Sequence, residues 1–202
     1  MGAAVAAWDP LVQITPGAGS VPEPPRRVAV SEVTDRSAPD VEIRTARIGD
    51  MRQVEALVNG FARHNLMLPK TYDQLARLFR EFVVAVDAEG RVVGCGALRV
   101  YNQDLAEIAS LAVDESAHGA GIGRRLVERL IEEGSALGLK TLFALTLQEA
   151  FFRRLGFGVV ARENFPGKVW ADCRNCPKLH ACDEIAVALE LAQRMPSLTT
   201  SG

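Results

Sequence analysis

Neither sign of charge dominates this chain: 25 acidic residues stand against 23 basic ones, for a formal net charge of −2. That balance excludes the broad electrostatic footprint that nucleic acid or an anionic membrane surface would need. No apolar run approaches the roughly 20 residues of a membrane span. The apolar start Met1–Trp8 lacks a basic flank and soon meets Asp9-Pro10, so no secretory signal is expected. Cysteine is scarce too, at 4 in 202 residues. Cys95 falls in an apolar strand-like run, and Cys173, Cys176 and Cys182 cluster late, which makes no disulfide framework. A reducing cytoplasm is the expected compartment. With 48% hydrophobic and 24% charged residues, the chain has material for one domain with a sizeable core.

What is present centres on Leu111–Leu130, an apolar strand, a glycine-rich turn and an amphipathic helix. Gly119, Gly121 and Gly123 leave the turn nearly bare, so its amides can close on an anion while the helix adds free N–H groups and its dipole. A dinucleotide fold would want G-x-G-x-x-G after the first strand and an acidic residue about 20 positions later. Here the run is G-x-G-x-G, past mid-chain, and the next strand ends in no acid. A nucleoside-triphosphate loop would end in Gly-Lys-Ser/Thr, where this turn reads Gly123-Arg124-Arg125. The diphosphate of coenzyme A (CoA) remains.

Periodicity divides the rest. Residues 1–40, rich in Ala, Pro, Gly, Ser and Val, show no lasting period and are expected to be a disordered extension, and 192–202 a flexible tail. Between them, 41–191 alternate strands and helices. Val41–Ala46 reads as a strand. Asp50 is expected to cap a helix with Met51, Val54, Leu57, Val58 and Phe61 on one face. Thr71–Gln74 has the form of a capping box. Phe82–Val86 and Arg91–Tyr101 read as a hairpin, followed by the strand Leu105–Val113, the glycine turn, and a helix to about Leu137. Lys140–Thr146 is a strand, Glu149–Leu155 a short helix, and Phe157–Ala161 and Glu184–Leu191 the last strands. The order describes a single α/β domain (α+β, a mixed sheet), antiparallel in its first half with helices on both faces. Ligands should enter where the strands flanking the central helix diverge at the sheet edge.

Arg44–Asp50, Val92–Leu98, the His118–Gly123 turn and Phe151–Phe157 resemble, in order, the motifs of the GCN5-related N-acetyltransferases (GNAT). Asn65–Lys70, Asp104–Val113, Thr141–Thr146 and Phe165–Leu191 are similar to the stand-alone amino-acid acetyltransferases that make N-acetylglutamate. The resemblance covers about 41–191. It implies the GNAT acyl-CoA N-acyltransferase fold and acetyl-CoA as co-substrate, with its diphosphate on His118, Gly119, Ala120, Gly121, Ile122, Gly123 and Arg124. Backbone groups of Leu111, Ala112 and Val113 would meet the pantetheine arm and the acetyl carbonyl. The family usually has Arg or Gln where this chain has His118, a change that an amide cradle tolerates.

Acetyl transfer to an amine needs a proton acceptor, donors for the oxyanion and a way for the thiolate to leave. Glu107, on the strand leading into the cradle, is the candidate base; alternation alone would equally allow a solvent-facing Glu, and the resemblance favours the base. Many family members carry a tyrosine where this chain has Phe152, and the chain's two tyrosines are Tyr72 and Tyr101; no acid is assigned. Lys70 and Lys168 match cationic positions that hold a dicarboxylate acceptor in the similar synthases, with Arg174 or Lys178 as the candidate third cation. Lys70 stands where Arg is usual and lacks the bidentate fork.

Cys173, Cys176 and Cys182, with His180, have a zinc-like composition but match no zinc-module spacing, so no metal is expected and zinc stays the minor option. The leading expectation is N-acetylation of L-glutamate, an entry step of arginine biosynthesis. Alternatives are transfer to another small amine or a protein N-terminus, a non-catalytic acyl-CoA sensor, and a metal-dependent interaction surface. Expected partners are acetyl-CoA and L-glutamate, with no nucleic acid and no membrane; a homodimer stays open.

Overall fold

A short, half-polar strand, β1 (Glu42–Thr45), comes first, and β-branched and small apolar runs build β2 (Phe82–Val86), β3 (Val92–Val100) and β4 (Leu105–Val113). Each pairs antiparallel with the next. The computed structural model describes residues 40–165, 176, 178 and 181–191. Helices α1 (Met51–Ala62) and α2 (Tyr72–Arg77) precede β2. Helix α3 (Ile122–Ala136) leads from β4 to its parallel partner β5 (Thr141–Thr146). Then follow α4 (Glu149–Arg154), β6 (Gly158–Val159) and β7 (Ile185–Glu190), giving one sheet in the order β1-β2-β3-β4-β5-β7-β6. All described residues belong to one unit, 36–202. The expected extension and the tail 192–202 lie outside the described residues, Asp40 apart. No described helix is long and apolar enough to cross a membrane.

The sheet is covered on both faces, which is why its central strands read as unbroken apolar runs. On one face α3 lays Ile122, Leu126, Val127 and Leu130 against Leu98, Ala106, Ile108 and Leu142. On the other, Met51, Val54 and Val58 of α1 and Leu75 of α2 pack on Val84, Cys95, Ala97 and Ala112. Phe143, Phe165 and Ala186 form a third, smaller cluster.

The capping box at α2 is formed: the Thr71 hydroxyl accepts from the Gln74 amide, and Gln74 Oε1 accepts from the Thr71 amide. Asp50 differs from expectation. It precedes α1 but makes no capping bond to it. A 3-10 turn over Ile48–Asp50 directs its carboxylate back toward β1. There it accepts from the Arg47 amide at 2.6 Å and from the Arg44 guanidinium at 2.7 and 3.0 Å. The strand expected at Phe157–Ala161 contracts to two residues. The divergence of β4 from β5 lies in the middle of the strand order, not at an edge strand, because β7 and β6 continue the sheet beyond β5.

Candidate active site

Strand pairing places the chemistry. β4 and β5 are joined only over Leu105–Glu107 and Thr141–Phe143; beyond the pair Glu107–Phe143 they part. Ile108–Leu111 line one side of the resulting cleft and Ala144–Thr146 the other, around a volume of about 520 Å³. Glu107 stands at the fork, 4% exposed, in the cleft wall. The solvent-facing alternative for this residue is therefore gone. Its cross-strand partner on β3 is Arg99, so both side chains project on one face. Arg99 lines the cleft too, and its Nε lies 3.5 Å from Glu81.

β4 bends just past the fork. The β3–β4 register shifts between Cys95 and Ala97, and Ser110 takes a left-handed φ of 51°, an unusual conformation for a side-chain-bearing residue inside a strand. The Cys95 thiol, fully buried and pushed up to about 12 by desolvation, donates to the Ser110 carbonyl at 3.5 Å. As a protonated donor it ties the bulged strand to β3.

At the end of β4 the Asp114 carboxylate accepts from the hydroxyl and the amide of Ser116, which hold it below the usual carboxylate range. His118 is exposed, with Nε2 2.8 Å from the Val113 carbonyl. The turn then passes through left-handed Gly119 (φ 82°) and Gly121 (φ 74°). A Cβ at either would meet nothing within 4 Å, so glycine is required there by conformation and not by space. Gly121 heads α3 with no side-chain cap, and the first turn carries no acid. The leading amides of a 15-residue helix thus keep their anion-binding capacity. Arg124 lies over Glu128 at 2.7 Å, and Arg125 donates to the Val41 carbonyl. Leu111 is in the cleft wall; Ala112 packs instead among the α1–α2 core, and Val113 closes the strand. The glycine turn lies past the end of the cleft lining, two residues of β4 beyond Leu111 and a tight turn further.

Lys70 reaches the cleft from the α1–α2 loop. Asn59 of α1 clamps its backbone, accepting from the Lys70 amide at 3.0 Å and donating to its carbonyl at 2.8 Å. Lys168, Arg174, Cys173 and His180 lie outside the described residues. Lys178 stands at the rim but is held by Asp183 at 2.9 Å, which raises its pKa and lowers that of Asp183. Cys176 and Cys182 line the cleft as free thiols. Arg162 donates to Cys182 Sγ at 2.8 Å and to the Glu184 carbonyl at 2.9 Å. Among the described residues no cluster of three or more His, Cys, Asp or Glu could hold a metal. Sequence reasoning missed Arg99, Arg162 and Tyr101, whose phenol lies 3.1 Å from Glu107 Oε2. Their positions depend on register and on a return of the chain, neither of which a local pattern carries.

The mixed sheet thus splits beside a buried carboxylate and feeds a glycine-headed helix able to take an anion. The sequence model of the Acetyltransferase (GNAT) family matches residues 50–157, and the chain belongs to that family. It is 42% identical over 154 residues to an uncharacterized N-acetyltransferase of Chlorobaculum tepidum, covering 76% of this chain and 99% of that protein. It is 41% identical over 117 residues to an amino-acid acetyltransferase of Mycobacterium tuberculosis, covering 57% of this chain and 67% of that one. Among solved structures it resembles the N-acetylglutamate synthase of Neisseria gonorrhoeae complexed with coenzyme A and N-acetyl-glutamate. The TM-score is 0.68 at 27% identity, over 76% of this chain but only 35% of that one. A Mycobacterium tuberculosis protein in complex with CoA and a second ligand gives 0.64 at 33% identity, over 75% of this chain and 99% of that one.

Proposed function

We propose that this chain transfers the acetyl group of acetyl-CoA to the α-amine of L-glutamate, an entry step of arginine biosynthesis, with residues 41–191 as the catalytic domain. The observation that carries this reading is the placement of Glu107 at the fork of β4 and β5, buried in a cleft that Lys70 and Arg99 also line. A dicarboxylate acceptor is recognised by cations, and its ammonium must lose a proton before it can attack the thioester. The amino-acid acetyltransferase and N-acetylglutamate synthase among the similar proteins support the acceptor.

Amides from Gly119 to Arg124 hold the diphosphate, and the β4 backbone from Leu111 to Val113, past the last pair with β5, takes the pantetheine arm. The thioester supplies an activated acetyl group. Glu107 takes the ammonium proton, through a water where the amine does not reach it directly. Lys70 and Lys168, with Arg174, bind the acceptor carboxylates. The tetrahedral adduct collapses with loss of CoA thiolate, which its ordinary pKa allows to leave without a dedicated acid, and the departing thiolate takes up the second proton of the acceptor nitrogen.

The test is thiol release in mixtures of protein, acetyl-CoA and single amino acids or amines. Glutamate-dependent release, with much weaker release for glutamine and none for simple amines, supports the reading. Release with amines lacking carboxylates, and none with glutamate, overturns it.

A further inference from the structure

Behind Glu107, away from the cleft lining, an aromatic ladder crosses the sheet. Tyr101 follows β3 two residues after Arg99 and is the diagonal cross-strand neighbour of Glu107. Its amide donates to the Leu105 carbonyl at 2.9 Å, so the start of β4 fixes its backbone. Its ring packs on Phe143, centroids 5.8 Å apart, and Phe143 stacks on Phe165 at 4.1 Å and 7°. Phe143 is also the β5 partner of Glu107, the last pair before the strands part. The phenol oxygen therefore arrives at Glu107 Oε2 from a direction set by two strands and a buried stack, at 3.1 Å.

We propose that Tyr101 is a positioning residue for Glu107: its hydroxyl donates to the carboxylate, fixes its plane at the fork and keeps it ionised at neutral pH despite burial. The inference rests on the reading of Glu107 as proton acceptor. A buried carboxylate is driven toward its neutral form, which cannot take a proton; a hydrogen bond to the ionised form opposes that drive. Among the described residues, the charged and titratable groups that line the cleft with Glu107 are Arg99 of β3, Lys70 of the α1–α2 loop, and Arg162, Lys178, Asp183 and Glu184 of the C-terminal segment, with Cys176 and Cys182. Asp183 and Glu184 line the same cleft, so an acid titration must separate them from Glu107.

Infrared difference titration of the full chain makes that separation, with Glu107→Gln as the reference that isolates one carboxyl band. In Tyr101→Phe the ring and its contact with Phe143 are retained and only the hydroxyl is lost. The Glu107 midpoint is expected at higher pH in this variant than in the native chain. With glutamate as acceptor, kcat/KM should fall about tenfold near pH 6 and recover most of that loss near pH 8.5, with the KM for acetyl-CoA unchanged. Equal midpoints in the two proteins, or a loss that is uniform across pH, overturn the inference. A shifted midpoint in a chain inactive toward glutamate would sink the acceptor assignment and leave the role of Tyr101 standing. Should Tyr101→Phe fail to fold, ultraviolet titration of the tyrosines gives the reciprocal readout. Glu107→Gln should then lower one phenol midpoint, and no change would count against the proposal.

Discussion

The charges that matter in this chain are few and closely paired. Lys70 is presented to the cleft by the two bonds that Asn59 makes to its backbone. Lys70→Met should raise the KM for the acceptor about tenfold, the size expected for one lost charge-assisted bond, and leave the KM for acetyl-CoA unchanged. Steady-state kinetics with each substrate varied in turn would show it, and an equal rise in both constants would make Lys70 a structural residue. Asn59→Ala should reproduce part of that effect by releasing the loop. Cys95 is a different kind of residue, a buried protonated thiol on the Ser110 carbonyl. Resistance of this thiol to alkylating reagents in the folded chain follows from its burial.

At the scale of elements, α3 and its glycine turn bind strand geometry to ligand binding. Gly121 is left-handed at the head of the helix. Gly121→Ala should cost about 1 kcal/mol in folding stability and weaken CoA binding severalfold, because the amides it orients would be displaced. Calorimetric titration beside thermal melts would separate the two effects. Thr71→Ala should cost about 1 kcal/mol through the lost cap of α2, read as a shift in the denaturation midpoint.

Most of these elements were legible in the sequence. Leu105–Val113 and the helix after the glycine turn have unambiguous apolar patterns, and Thr71-x-x-Gln74 announces its own cap. What was not legible depends on pairing across distance. The fork depends on where β4 and β5 cease to bond, and Tyr101 meets Glu107 through β3–β4 register. Asp50 turns away from its helix because Arg44, six residues earlier, captures its carboxylate. Periodicity carries none of this, since it records which residues are apolar and not which strand lies beside which.

For the whole molecule, the bond between β1 and the start of α1 gives stability a definite pH dependence. Both side chains of the Arg44–Asp50 pair are largely buried, at 17% and 12% exposure. The Arg44 guanidinium, with the Arg47 amide, holds the Asp50 carboxyl below its ordinary value, and burial opposes this only in part. A depressed carboxyl contributes stability in full above its unfolded-state value and loses it as pH falls through its folded-state value. Asp50→Asn should therefore be less stable than the native chain by about 1–3 kcal/mol at neutral pH, with the gap closing below about pH 4. Urea denaturation across pH measures this, and a gap independent of pH would contradict it.

We propose that catalysis in this chain depends on one carboxylate at a split in one sheet. Mixing purified protein with acetyl-CoA and isotopically labelled L-glutamate, and following the N-acetylated product by mass spectrometry for the native chain and Glu107→Gln, tests it most directly. The native chain should accumulate N-acetylglutamate, and Glu107→Gln should do so at least about a hundredfold more slowly with its affinity for CoA intact. No product from the native chain, or equal rates from the two proteins, would contradict the account.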